Sequence, residues 1–128
     1  MNKKLIILTL IIAFTAVGAS KPYIERTDLQ ENRINHGDQI TFGVQFKDPK
    51  ASMNYATADL KLDGEKVDVS PLYDRNNDGF YVGSFGSVEG GEVYTVEVRG
   101  CNHSGSCTTE KFQKKTYCKI SILDSCLA

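Results

Sequence analysis

The chain of 128 residues has no tryptophan, two histidines, and no cysteine before position 101. With so few imidazoles, general acid–base chemistry has little to work with. His36 and His103 both fall in glycine-containing stretches without a recognisable nucleophile or orienting acid nearby, and they read as solvated loop side chains. The stretch Gly83-Ser84-Phe85-Gly86-Ser87 resembles a nucleophile elbow only superficially, because its spacing is not G-x-S-x-G and no alternating strand–helix framework exists to mount it. The sequence therefore reads as that of a non-enzyme.

Charge of one sign is also missing: 15 basic residues face 16 acidic ones, a formal net charge of −1. Such a balance gives no reason to expect nucleic acid or an anionic membrane as partner. The only long apolar stretch runs from Leu5 to Val17, about 13 residues, whereas a helical membrane span needs about 20. Preceded by Met1-Asn2-Lys3-Lys4 and followed by Gly18-Ala19-Ser20, it has the charged start, apolar core and small-residue end of a secretory signal peptide, with cleavage expected after Ala19. No cysteine lies near that cut to accept a lipid, so no membrane anchor is expected after processing. Residues 1–19 carry two lysines and no acid, which leaves 20–128 with a net charge of about −3. A secreted or periplasmic product with a single domain over 20–128 is expected.

The four cysteines, Cys101, Cys107, Cys118 and Cys126, all lie in the last quarter of the chain. In an exported protein an even count reads as disulfides, and four cysteines allow three pairings. Pairing of neighbours, Cys101–Cys107 and Cys118–Cys126, closes the shortest loops and is the first expectation. Cys101, His103, Cys107 and Cys118 would also suit zinc in a reducing compartment, but export favours oxidation of the thiols.

What is abundant is alternation. Ile40, Phe42, Val44 and Phe46 alternate with Thr41, Gly43 and Gln45, the period-two pattern of a half-buried strand. Ala56, Ala58, Leu60 and Leu62 alternate with Thr57, Asp59 and Lys61, and Asp63-Gly64 then forms a hairpin signal leading into Val67 and Val69. Tyr94, Val96 and Val98 repeat the pattern against Thr95, Glu97 and Arg99. No amphipathic helix, internal repeat or low-complexity linker follows the signal segment. Strands are predicted at 22–29, 39–47, 55–63, 66–72, 79–87, 92–101 and 107–117, which suggests an all-β sandwich of about seven strands with 118–128 as a further short strand or a pinned tail.

The segments GDQITFGVQFKDP, ADLKLDG, DGFYVGSF and GGEVYTVEVRGCNHSG resemble, in order, an immunoglobulin-like or fibronectin type III-like domain of secreted bacterial proteins. The resemblance implies an immunoglobulin-like β-sandwich, stabilised at its C-terminal end by disulfides, with Tyr94 as a tyrosine-corner residue whose ring is buried and whose hydroxyl meets nearby backbone. It departs from antibody domains in having no tryptophan and no cysteine pair at inter-sheet spacing. Fold follows from it; activity does not.

Two stretches are candidate sites. Asp74, Asn76, Asp78 and Gly79 fit D-x-[DN]-x-[DN]-G, in which alternating oxygens converge on calcium, but the twelfth position, where a bidentate acid belongs, is Phe85. The stretch reads first as an inter-strand turn and second as a calcium site with other ligands; no other cofactor is implied. Asn102, His103, Ser104 and Ser106, between Cys101 and Cys107, form a candidate binding loop, since a loop held in one shape loses less freedom on binding. Asn102-His103-Ser104 is also a glycosylation sequon in hosts that modify exported asparagines. Lys111, Lys114, Lys115 and Lys119 concentrate positive charge near the C-terminus, either to steer a partner or to protect a sheet edge. The function these features suggest is recognition of another exported protein or a surface glycan through loops, the alternative being a small inhibitor of a secreted hydrolase.

Overall fold

Alternation of apolar and polar residues produces strands with one dry face each, and such strands become stable when two sheets seal those faces together. A computed structural model describes residues 21–49 and 51–118. Eight strands form two sheets among them: β1 (Tyr23–Thr27), β2 (Ile34–Asn35), β3 (Gln39–Lys47), β4 (Met53–Leu62), β5 (Glu65–Leu72), β6 (Phe80–Ser87), β7 (Val93–Asn102) and β8 (Cys107–Tyr117). One sheet has the order β1-β3-β6 and the other β2-β8-β7-β4-β5. The expected signal segment, residues 1–19, and the tail beyond Cys118 lie outside the described residues. No helix among the described residues is long and apolar enough to cross a membrane.

The inward positions are those the alternation marks. Ile40, Phe42, Val44 and Phe46 from β3 face Ala56, Ala58 and Leu60 from β4 and Tyr94, Val96 and Val98 from β7, all buried. Phe42 stacks on Phe85 at 5.4 Å between centroids, and Phe46 meets Tyr81 edge-on at 5.5 Å. The Phe46 ring lies so close to the backbone of Gly100 that a Cβ there would stand 2.4 Å from it, so the absence of a side chain at 100 lets the sheets close over the ring.

The Asp63-Gly64 hairpin forms as expected: both residues have positive φ, 53° and 83°, the values a two-residue turn requires, and Leu62 pairs with Glu65 across it. Beyond the turn the phase is less obvious. Val67 and Val69 are half exposed, while Ser70 and Leu72 take the inner positions.

The sandwich, expected to have about seven strands, has eight among the described residues, the addition to those expected being β2. β2 is two residues long and pairs parallel to the end of β8, Ile34 with Thr116 and Asn35 with Tyr117. So short an element has no periodicity to read; His36 N–H extends it with a bond to the Tyr117 carbonyl at 2.7 Å.

At their common border the two sheets are stitched by side chains. Ser84 N–H donates to Ser70 Oγ at 3.1 Å and Gly86 N–H donates to Asp68 Oδ2 at 2.8 Å, while Tyr73 and Val82 exchange backbone bonds at 2.9 Å. β5 and β6 thus belong to different sheets yet form one corner. That corner shapes the groove described below.

Candidate functional site

The turn from Asp74 to Gly79 joins β5 to β6 at this corner, and its carboxylates are used by its own backbone. Asp74 Oδ1 accepts the Asp78 N–H at 3.2 Å and Oδ2 accepts the Gly79 N–H at 2.7 Å, while Asp78 Oδ1 accepts the Phe80 N–H at 3.0 Å. Asn77 and Gly79 both have positive φ, 55° and 83°, which asparagine and glycine tolerate best. The turn is docked on β3 as well. Gln45 Nε2 donates to the Asp78 carbonyl at 3.2 Å, and Phe46 N–H donates to the Gly79 carbonyl at 2.9 Å. The geometry is that of an inter-strand turn; among the described residues no three His, Cys, Asp or Glu side chains gather at one point. Burial raises the Tyr81 phenol above the usual tyrosine range, and the Asp74 charge adds to that shift.

Beside the turn opens a groove of about 770 Å³. Its floor is the outer face of β3 and β6, with Thr41, Phe80, Val82 and Ser84, and its wall is Ser70 and Pro71 of β5 followed by Tyr73, Arg75 and Asn76. Phe80 is held flat because Gly43 beneath it has no side chain: a Cβ there would stand 2.2 Å from the ring. The Arg26 guanidinium covers the ring from above at 5.7 Å. Tyr73 is 63% exposed and Val82 is exposed beside it, so the groove offers an aromatic surface and an apolar one. Thr41 and Ser84 hydroxyls, 3.3 Å apart, supply polar groups on the floor, and Arg75 and Asn76 supply them on the rim. Among the described residues no carboxylate lines it.

The loop between β7 and β8 is the second candidate. Cys101 and Cys107 stand directly opposite in the β7–β8 register and are joined by a disulfide, as expected from neighbour pairing. Two sulfurs bonded to each other are not thiolate ligands, so the zinc alternative at these cysteines is removed. The other expected bridge has its second cysteine, Cys126, outside the described residues.

Within the loop the expected residues divide. Asn102 is 2% exposed and acts as the internal brace: its Nδ2 donates to Asp48 Oδ2 at 2.7 Å, and its Oδ1 accepts the N–H groups of Ser104 and Ser106, each at 3.0 Å. With its amide spent in this way, Asn102 shapes the loop and does not face a partner; the sequon nitrogen is likewise buried. His103 and Ser104 are exposed at the tip, and Ser106 is half buried. Gly105, at φ 87°, makes the bend.

Two further expectations change. His36 is not simply solvated, because its Nδ1 accepts the Gly90 N–H at 3.1 Å and ties two loops together. Lys114 does not belong to a surface cluster: it faces inward on β8, is 5% exposed, and donates from Nζ to the Asn32 carbonyl. The Tyr94 expectation holds, with the ring buried and the hydroxyl oxygen accepting the Glu89 N–H at 3.0 Å.

No family model matches the chain, and no curated protein matches it. Among solved structures it is similar to CopC from Methylosinus trichosporium OB3b, with a TM-score of 0.55 at 10% identity over 80% of this chain and 99% of that one. It is also similar to a chimeric titin Z1Z2 functionalized with a KLER exogenous peptide from decorin, with a TM-score of 0.50 at 15% identity over 79% of this chain and 99% of that one. The fold is an immunoglobulin-like β-sandwich. At these identities the likeness concerns fold alone.

The groove residues are what sequence reading missed. Tyr73 follows β5 while Phe80 and Val82 belong to β6, a strand of the other sheet, and only the β5–β6 corner brings them together.

Proposed function

We propose that the chain is an exported, non-catalytic binding module that recognises a surface glycan along the groove between β3, β6 and the 74–79 turn. The observation that carries this reading is the exposed Tyr73 ring beside the hydroxyls of Thr41 and Ser84 and the planar polar ends of Arg75 and Asn76. A sugar presents an apolar C–H face and a polar rim; a tyrosine ring suits the first, and amide, guanidinium and hydroxyl groups suit the second. The volume falls in the range of small-ligand clefts, about 300–1,000 Å³. With one arginine and no carboxylate among the described residues that line it, the groove favours neutral or acidic sugars. Export is supported by the Cys101–Cys107 disulfide and by the signal-like residues 1–19.

With no tryptophan and six tyrosines, the emission is tyrosine emission throughout, and the share that belongs to Tyr73 is the part its replacement removes. Titration with oligosaccharides from cell-surface polysaccharides is expected to give a saturable emission change that Tyr73→Ala abolishes and Val69→Ala leaves intact. Saturable binding that survives Tyr73→Ala, or no binding across neutral and acidic saccharides, overturns the assignment.

A second reading, inhibition of a secreted hydrolase, is favoured by the disulfide-clamped, Asn102-braced loop that exposes His103 and Ser104. Stoichiometric loss of hydrolase activity that disappears on His103→Ala together with Ser104→Gly would support it.

A further inference from the structure

The segment between β1 and β2 and the C-terminal end of β8 line a second, open cavity of about 260 Å³ that shares no lining residue with the glycan groove. Lys114 reaches it from an inward-facing strand position. Burial of an ammonium group is expensive unless an opposite charge compensates it. Here one acceptor is the Asn32 carbonyl, a neutral dipole, and among the described residues no carboxylate lies within ion-pair distance of Nζ. Three N–H donors on a lysine head and one carbonyl partner leave donor capacity directed to the cavity. Burial accordingly lowers the affinity of Lys114 for its proton, with Asp28 opposing the shift from a distance.

Two more cations line the same cavity. The Arg33 guanidinium lies 4.0 Å from the Tyr117 ring centroid and Lys115 Nζ lies 5.5 Å from it, so one aromatic ring supports both heads. Neither makes an ion pair among the described residues; Arg33 Nε donates to Asn35 Oδ1 at 3.2 Å, a neutral partner. Among the described residues Glu31 is the one acid on the lining, against three cations. Like charges drawn together, one of them desolvated, describe a site whose missing partner is negative.

We infer that the cavity formed by Arg33, Lys114, Lys115 and the Asn32 backbone is a binding site for a tetrahedral oxyanion, phosphate or sulfate, either free or carried on a larger molecule. Heads that arrive from the β1–β2 segment and from β8 can each take a different oxygen, an arrangement that suits a group with three or four of them better than a planar carboxylate. The cavity opens to solvent, so a group carried on a larger molecule can enter it as readily as a free ion. The site is independent of the glycan groove, and its occupation would remove the desolvation penalty of Lys114.

The test is a titration of the oxidised protein with sodium phosphate and sodium sulfate against sodium chloride at matched ionic strength, read by backbone amide shifts and by melting temperature. Saturable shifts confined to residues 30–35 and 113–117, with a melting temperature that rises in phosphate or sulfate but not in chloride, are expected. Arg33→Gln combined with Lys115→Gln, both at the surface, should weaken binding at least tenfold while leaving the amide shifts of the unliganded protein outside residues 30–35 and 113–117 unchanged. Lys114→Met should abolish the phosphate response while raising the melting temperature in chloride. Tighter binding of phosphoserine or a sulfated monosaccharide than of the inorganic ion would indicate a carried group, and the reverse a free ion. Equal stabilisation by chloride, shifts dispersed over the surface, or unchanged affinity in the double variant would overturn the site. A Tyr73→Ala protein should respond to phosphate normally, which separates this result from the fate of the glycan reading.

Discussion

Phe80 rests on Gly43, with the ring so near the backbone that a Cβ at 43 would stand 2.2 Å from its far carbon. The contact levels the floor of the groove, and a Cβ at 43 can be admitted only if the Phe80 ring swings away from β3. Gly43→Ala should therefore expel the ring and destabilise the fold by about 1–3 kcal/mol, the usual range for overpacking. Urea denaturation checks the cost, and the double variant with Phe80→Ala should recover part of it. A fully additive pair would show that the two residues do not press on one another.

Asn102 is the organiser of its loop, so its loss should be felt by residues that do not themselves change. Asn102→Ala removes one of the donors to Asp48, which keeps the Ala51 N–H, and strips the Ser104 and Ser106 N–H groups of their acceptor. A destabilisation of about 1–3 kcal/mol is expected, since groups left unpaired cost more than the bond was worth. Hydrogen exchange at Ser104 and Ser106 should quicken before any strand amide does.

The disulfide encloses a short stretch, with a sequence separation of 6 between the cysteines. Chain entropy for so small a loop is worth about 2 kcal/mol, and replacement of both cysteines by alanine should lower stability by no more than about that amount. The protein should remain folded, as the core lies elsewhere. Far-ultraviolet circular dichroism and a denaturant midpoint, with and without a reductant, make the comparison.

Acid should weaken the outer face of the larger sheet through Glu97. Its hydrogen bond from Lys61 Nζ, at 3.0 Å, holds the carboxyl below the usual glutamate value, and the Lys61 and Lys111 charges assist. Because the folded-state value is depressed, the contribution to stability is present above the unfolded-state value and is lost as pH falls through the folded one. Glu97→Gln should flatten the stability profile in that acid window and leave its slope above pH 7 unchanged. Urea midpoints measured from pH 3 to pH 8 would show it.

The 74–79 turn should be indifferent to calcium. Both Asp74 oxygens already accept backbone N–H groups and the loop closes on β3 through Gln45. Calorimetric titration with calcium chloride is expected to give no saturable heat and no change in melting temperature. A saturable signal lost on Asp78→Asn would instead establish a cation site there.

The parts of the fold carried by local rhythm were legible in the sequence. Ile40 to Phe46 could be phased because every second side chain is large and apolar, and Asp63-Gly64 announced its turn through residues that accept positive φ. Where a residue's role depends on a distant partner, rhythm was silent. Asn102 meets Asp48 across 54 positions, and His36 meets Gly90 across the same number, so neither brace leaves a local mark. Lys114 was hidden for another reason: on β8 the inner positions are Phe112, Lys114 and Thr116, two of them polar, which masks the dry face of that strand. The groove was illegible because it forms where two sheets meet, and alternation within each strand carries no information about the corner between them.

The corner also governs how this molecule can meet others. Hydroxyl and carboxylate oxygens of Ser70 and Asp68 occupy the amide donors of Ser84 and Gly86 that a free border would display. A foreign strand arriving there finds no ladder to join, and neither sheet can grow past it by adding a neighbour. Encounters on this flank are left to side chains, which makes them selective by chemistry and guards the domain against open-ended polymerisation along that side.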